Sequence, residues 1–136
     1  MGDLSKNLSR VEFTCQCGCG YDTVDHVLVD VLQKTVDHFQ DKYPRKVIRI
    51  KITSGNRCHK HNNNTAGASV HSQHLFARAA DFIIYDAGPG VAIPADEVAE
   101  YLHEHYPATL GIGRYNGRTH VDSRTGKARW DSRNQA

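Results

Sequence analysis

The chain has 136 residues, the size of one ordinary domain, and its 17 basic and 15 acidic side chains leave a formal charge of +2. Those charges are spread along the chain, so no basic block marks a nucleic-acid partner and no acidic tail is present. The first ten residues, MGDLSKNLSR, are polar, and no apolar run approaches the roughly 18 residues of a membrane span, which excludes membrane insertion and leaves no signal peptide to read. The expectation is a single domain over residues 1–136, monomeric and made in the cytoplasm.

Residues 1–12 read as a loose opening segment, and FTCQCGCGYD as a Cys- and Gly-rich loop. From Asp22 the spacing of Val24, Leu28, Val31, Leu32, Val36 and Phe39 predicts a helix, capped by Asp22 or Thr23 and stopped by Pro44. KVIRIKITS (46–54) alternates Val47, Arg49 and Lys51 with Ile48, Ile50 and Ile52, the pattern of a strand with one buried face. A polar stretch from Gly55 to Gln73 follows, longer than an idle loop usually is. AADFIIYD is a second strand and DAGPG a turn. Pro94, with Asp96 and Glu97 in the first turn, starts a second helix to about Tyr106, whose inner face is marked by Val98, Tyr101, Leu102 and His105. RYNGRT holds an Asn-Gly pair, the strongest short hairpin signal, and would set Tyr115 and His120 on its two arms. Asp131 to Ala136 reads as a frayed tail. The element order predicts an α+β fold with a small, mostly antiparallel sheet and two main helices.

Nine histidines are many for this length, and neutral imidazole is the commonest metal ligand in proteins. Three groups stand out: His74, Asp81, and the pair His120 and Asp122 in THVD. A hydrolytic zinc site takes three N or O ligands from the protein and keeps a further position for water. Two histidines and one aspartate meet that need. The spacing alone equally suits His74 as a hydrogen-bonding loop residue and Asp81 as a strand-end cap.

SGNRCHKHN, then SQHLFARAAD, then GIGRYNGRTHVD together resemble the zinc D-alanyl-D-alanine metallopeptidases, a group with cell-wall carboxypeptidases, vancomycin-resistance dipeptidases, phage endolysins and the related metal-binding domain of hedgehog signalling proteins. The resemblance runs from about Leu8, where LSRVEFTCQCGCG is similar to the opening of small single-domain members, to Trp130. It implies a hedgehog/DD-peptidase-like fold and one catalytic zinc held by His74, Asp81 and His120. It also implies that Arg57 holds the substrate carboxylate or the oxyanion, a task its planar, permanent charge suits. Many relatives carry Glu or Asp three residues before the last ligand, where this chain has Gly117. Asp122 is then the nearest carboxylate, as general base or as the group that orients an imidazole; relatives with His-x-His leave a third option, Asp122 as ligand. The family usually has Gly in place of Ala77.

Arg57, Ser72, His71 and Tyr115 are the expected substrate contacts. His59 and His61 read as solvated or substrate-facing, and His26, His38, His103 and His105 as surface groups on helices. Cys15, Cys17, Cys19 and Cys58 leave three readings open: a second, structural zinc site, reduced thiols, or a disulfide from Cys58. The implied function is hydrolysis of peptide bonds in peptidoglycan, with peptidoglycan peptides as partners. Lack of a signal peptide matches a phage-type lysin reaching the wall after release. The rival is a module that keeps the metal without turnover, which the residue at Gly117 favours; a structural phage component is a third reading.

Overall fold

The structure, a computed structural model, describes residues 2–65 and 72–133, with His59 described by its backbone alone. Among these residues the strands are β1 (Ile48–Ser54), β2 (Ala79–Asp86), β3 (Val91–Ala92), β4 (Gly111–Tyr115), β5 (Arg118–Asp122) and β6 (Ala128–Asp131). The helices are α1 (His26–Lys42), the short α2 (His59–Asn63) and α3 (Ala95–His105). The strands form one sheet in the order β1-β2-β5-β4-β6, with β3 also on β2. Every pairing is antiparallel except β4 with β6. This is the α+β architecture expected, with a mostly antiparallel sheet and two main helices.

The sheet has two chemically different faces because side chains alternate along a strand. In β2, Ala80, Phe82 and Ile84 are buried and Asp81, Ile83 and Tyr85 are only partly so. The first set, with Ile48, Ile50, Ile112 and Val121, packs against Leu28, Leu32, Val36 and Phe39 of α1 and Val98 and Leu102 of α3. The second set faces the other way. That opposite face carries the polar groups of interest.

The opening segment is docked, not loose. Leu8 and Phe13 are fully buried in the core, and a 3-10 turn spans Arg10–Phe13. Burying each of these side chains is worth roughly 2 kcal/mol, enough to outweigh the polar residues around them. Helix α1 begins at His26 instead of near Asp22, because the Asn56 side chain donates to the Tyr21 and Thr23 carbonyls and holds that stretch extended. Inside the long polar stretch the chain makes α2, and where the stretch ends a 3-10 turn spans Gln73–Phe76. On α3 the inner face includes Ala99, whereas His105 is exposed. Asp131 belongs to β6, and Arg133 after it bonds Asp131 and Asp96, so the end of the described chain is pinned to the sheet. Among the described residues no helix is long and apolar enough to cross a membrane.

Candidate metal centre

The site is a row across the polar face of the sheet. Asp81 on β2 stands directly opposite His120 on β5, His120 opposite Gly113 on β4, and Gly113 opposite Trp130 on β6. Residues paired in this way project to the same side. The two-residue Asn116-Gly117 turn, with Gly117 at φ +77°, sets the β4–β5 register that makes the row possible. Gly117 is therefore committed to a tight turn, and a carboxylate side chain there would sit in a conformation that L residues rarely adopt.

His74 reaches the row from the 3-10 turn. Ser72 caps that turn, its hydroxyl accepting from the His74 amide at 3.2 Å. Ala77 then reverses the chain in the left-handed conformation, φ 58° and ψ 29°, and its carbonyl receives the Asp25 amide at 2.9 Å. The resemblance implies Gly at this position; Ala77 adopts the left-handed conformation all the same, its methyl group making it cost on the order of 1 kcal/mol. The result points His74 Nε2 at Asp81 Oδ1, 3.6 Å away.

Each imidazole has one nitrogen engaged and one aimed at Asp81. His74 Nδ1 lies 2.5 Å from the Gly55 carbonyl, which can only accept, so Nδ1 carries the proton and Nε2 is the base. His120 Nε2 is 2.9 Å from Asp122 Oδ2 and its Nδ1 is 2.9 Å from Asp81 Oδ1. The ligand atoms of His74, Asp81 and His120 all lie within 4.8 Å of one another. Two ring nitrogens and a carboxylate oxygen, each imidazole held by an outer acceptor, are the donor set of a hydrolytic zinc site. The residues fit the ion.

The electrostatics support this. Burial opposes ionisation of Asp81, but the hydrogen bond with His120 and the nearby His74 ring outweigh it and hold the carboxyl far below the usual carboxylate range. Asp122 is fully buried, and there too burial is overcome, by bonds from His120 and Arg124. Arg124 grips Asp122 in a fork, Nε to Oδ1 at 2.6 Å and Nη2 to Oδ2 at 2.8 Å, and the Gly111 amide adds a third donor at 3.1 Å. Asp122 therefore sits behind His120, away from Asp81, with both oxygens occupied.

Arg57 lies beside the row, its amide donating to the His74 carbonyl at 3.1 Å. It is 8% exposed, and its buried Nε has no hydrogen-bond partner among the described residues. Burial lowers its proton affinity, and the nearby Asp81 charge works against that. The Arg57 guanidinium is thus left with a donor that the described residues do not use. Tyr115 and Trp130 form the far wall. Trp130 Nε1 donates to the Tyr115 hydroxyl at 2.8 Å, and the Trp130 and His120 ring centroids are 4.9 Å apart.

The row thus brings together His74, Asp81, His120, Asp122, Arg57 and Tyr115, with Ser72 at its edge as a cap; His71 lies outside the described residues. Arg118 was not legible as a site residue. Its guanidinium stacks over Tyr115, 4.3 Å from the ring centroid, and its Nε is 3.9 Å from Asp81 Oδ2. The signal was its place two residues before His120 on a strand, hence on the same face.

Comparison with curated proteins and with solved structures returned no match. A family model described as Peptidase M15 matches residues 6–122, a stretch that holds Arg57, His74, Asp81, His120 and Asp122, and the chain belongs to that peptidase family.

Proposed function

We propose that the protein is a zinc-dependent peptidase acting on the peptide bonds of peptidoglycan, in its stem peptides or cross-links. The observation that carries this reading is the convergence of one ligand atom each from His74, Asp81 and His120, all within 4.8 Å of one another, beside a buried Arg57 Nε that has no partner among the described residues. A metal held with no catalytic purpose has no use for an arginine whose donor is left open next to it.

A zinc ion at this position supplies Lewis acidity toward a carbonyl and acidifies water to near neutrality. The chain's own residues divide the remaining work. His74 and His120 would present unprotonated nitrogens to the ion because the Gly55 carbonyl and the Asp122 carboxylate accept hydrogen bonds from the opposite ring edges. Arg57 binds the substrate carboxylate, or the negative charge that builds on the scissile carbonyl oxygen. Arg118, stacked on Tyr115, adds a second cation at the rim. Two arginines flanking one site suit a peptide that bears free carboxylates, as wall stem peptides do. Asp122, with both oxygens engaged by Arg124, Gly111 and His120, fits the positioning of His120 better than proton transfer from substrate water.

The test is digestion of purified peptidoglycan by zinc-loaded protein beside His74→Ala, with released fragments identified by mass. Fragments from the wild type and none from the variant support the peptidase. A second reading, a wall- or protein-binding module that holds the metal without turnover, draws on the turn geometry at Gly117, which leaves no carboxylate where many relatives have one. Stoichiometric metal at His74 with no bond cut would select it.

A further inference from the structure

We infer that Cys15, Cys17, Cys19 and Cys58 form a second metal site, closed and structural, that takes a thiophilic divalent ion of the zinc class through four thiolates. All four thiols are free, and their Sγ atoms lie within 4.8 Å of one another. Cys15 and Cys17 are 3.4 Å apart and Cys17 and Cys58 3.5 Å. A tetrahedral ion with Zn–S bonds of about 2.3 Å places its sulfurs about 3.8 Å from one another. Two disulfides would join sulfurs in pairs and would not require all four to meet at one point.

The tight Cys-x-Cys-x-Cys spacing looks unsuited to a metal, since such ligands are usually separated by two to four residues. The backbone removes the objection. The Gly18 amide bonds the Cys15 carbonyl at 3.1 Å, the Cys15 amide bonds the Tyr21 carbonyl at 2.9 Å, and Gly18 and Gly20 take positive φ of 83° and 86°. The loop therefore curls so that its three thiols face the same way, toward Cys58 at the start of α2.

The surroundings of Cys15 and Cys58 suit thiolates. The Cys58 amide points at Cys15 Sγ at 3.5 Å, and the His61 amide at Cys58 Sγ at 3.4 Å. His61 Nδ1 lies 3.3 Å from Cys15 Sγ, so the ring borders the cluster, where the sequence indicated a solvated or substrate-facing group. Donors of this kind offset the negative charge that four thiolates leave on a divalent ion.

The site does not overlap the His74 row, yet it is joined to it covalently. Cys58 follows Arg57, and two residues earlier Gly55 supplies the carbonyl that sets the His74 tautomer. An ion at the cysteines would clamp the opening loop to this segment and hold Arg57 and Gly55 in place. The proposal stands whether or not the protein cuts peptide bonds.

The experiment is metal analysis of the full chain purified with a phosphine reductant, with native mass spectrometry and cobalt(II) substitution. The wild type is expected to carry two equivalents of zinc, and His74→Ala and the double variant Cys17→Ser/Cys19→Ser one each. Cobalt in the wild type and in His74→Ala should show intense thiolate-to-cobalt charge-transfer absorption in the near ultraviolet, lost in the cysteine variant. The wild-type spectrum needs no variant, so a misfolded double mutant would not blunt the test. A single equivalent abolished by His74→Ala, or cobalt protein without thiolate charge transfer, would overturn the second site. So would a mass four hydrogens low in protein isolated without reductant, which reports two disulfides. A wall digest that yields no fragments while the thiolate spectrum persists would sink the peptidase reading alone.

Discussion

Asp122 holds His120 from behind, its Oδ2 2.9 Å from Nε2 on the ring edge opposite Asp81. That contact leaves the other ring nitrogen toward Asp81 and supports the positioning task proposed for Asp122.

Asp122→Asn is expected to weaken binding of the metal equivalent that His74→Ala abolishes by about 10- to 100-fold, the usual effect of losing such an outer partner. Competition with a chromophoric chelator measures it. A variant that binds zinc as tightly as the wild type but has lost turnover would instead make Asp122 the base.

Without metal the two histidines should titrate in opposite directions. Burial pushes His74 below the ordinary 6.5, with Asp81 opposing. Burial acts the same way on His120, but its bonds to Asp122 and Asp81 outweigh it and raise the value. A raised group adds stability to the metal-free fold that is complete below pH 6.5 and is lost as pH climbs through the raised value. His74, neutral when folded, costs stability as pH falls below 6.5. Ring-proton NMR of the metal-free protein should show one buried histidine with a midpoint above 6.5 and one below, and Asp122→Asn should lower only the first. Two midpoints near 6.5 would contradict the arrangement.

Arg57→Ala is predicted to leave zinc content unchanged and to lower kcat/KM on wall peptides by roughly 100- to 1,000-fold, the range seen when one donor to a developing oxyanion is removed. Arg57→Lys should recover little, because a lysine does not reproduce the fork. Equal activity in all three proteins would remove Arg57 from the site.

Gly113 lies beneath the indole of Trp130, the single tryptophan of the chain, and an added Cβ would collide with its ring. Gly113→Ala should therefore displace Trp130 from His120. A red shift of tryptophan emission together with weaker zinc binding is the expected pair of readouts; unchanged emission would mean that the ring does not rest there.

Leu8→Ala should destabilise the fold by about 2–4 kcal/mol, as for other fully buried leucines. Chemical denaturation reads this, and a loss under 0.5 kcal/mol would restore the loose opening segment that composition indicates.

The sequence by itself determined the elements whose signal is local. The period of Leu28, Leu32, Val36 and Phe39, the alternation in β1, and the Asn-Gly turn are written in neighbouring residues, and each names its own structure. His74, Asp81 and His120 were legible as a set through resemblance of their flanking motifs, since their spacing alone suited capping and hydrogen bonding as well. What only the tertiary structure decided depends on partners far along the chain. β6 is four residues long and exists because β4 offers it a parallel edge; α1 starts late because Asn56 holds the residues before it. The task of Asp122 could not be read from a His-x-Asp pattern, because base, ligand and positioning group share that pattern. The positioning task proposed for it rests on the bonds from Arg124 and Gly111 that occupy the carboxylate. The four cysteines were ambiguous for the same reason: three sit within five residues, but the fourth arrives only when the chain folds Cys58 back onto them.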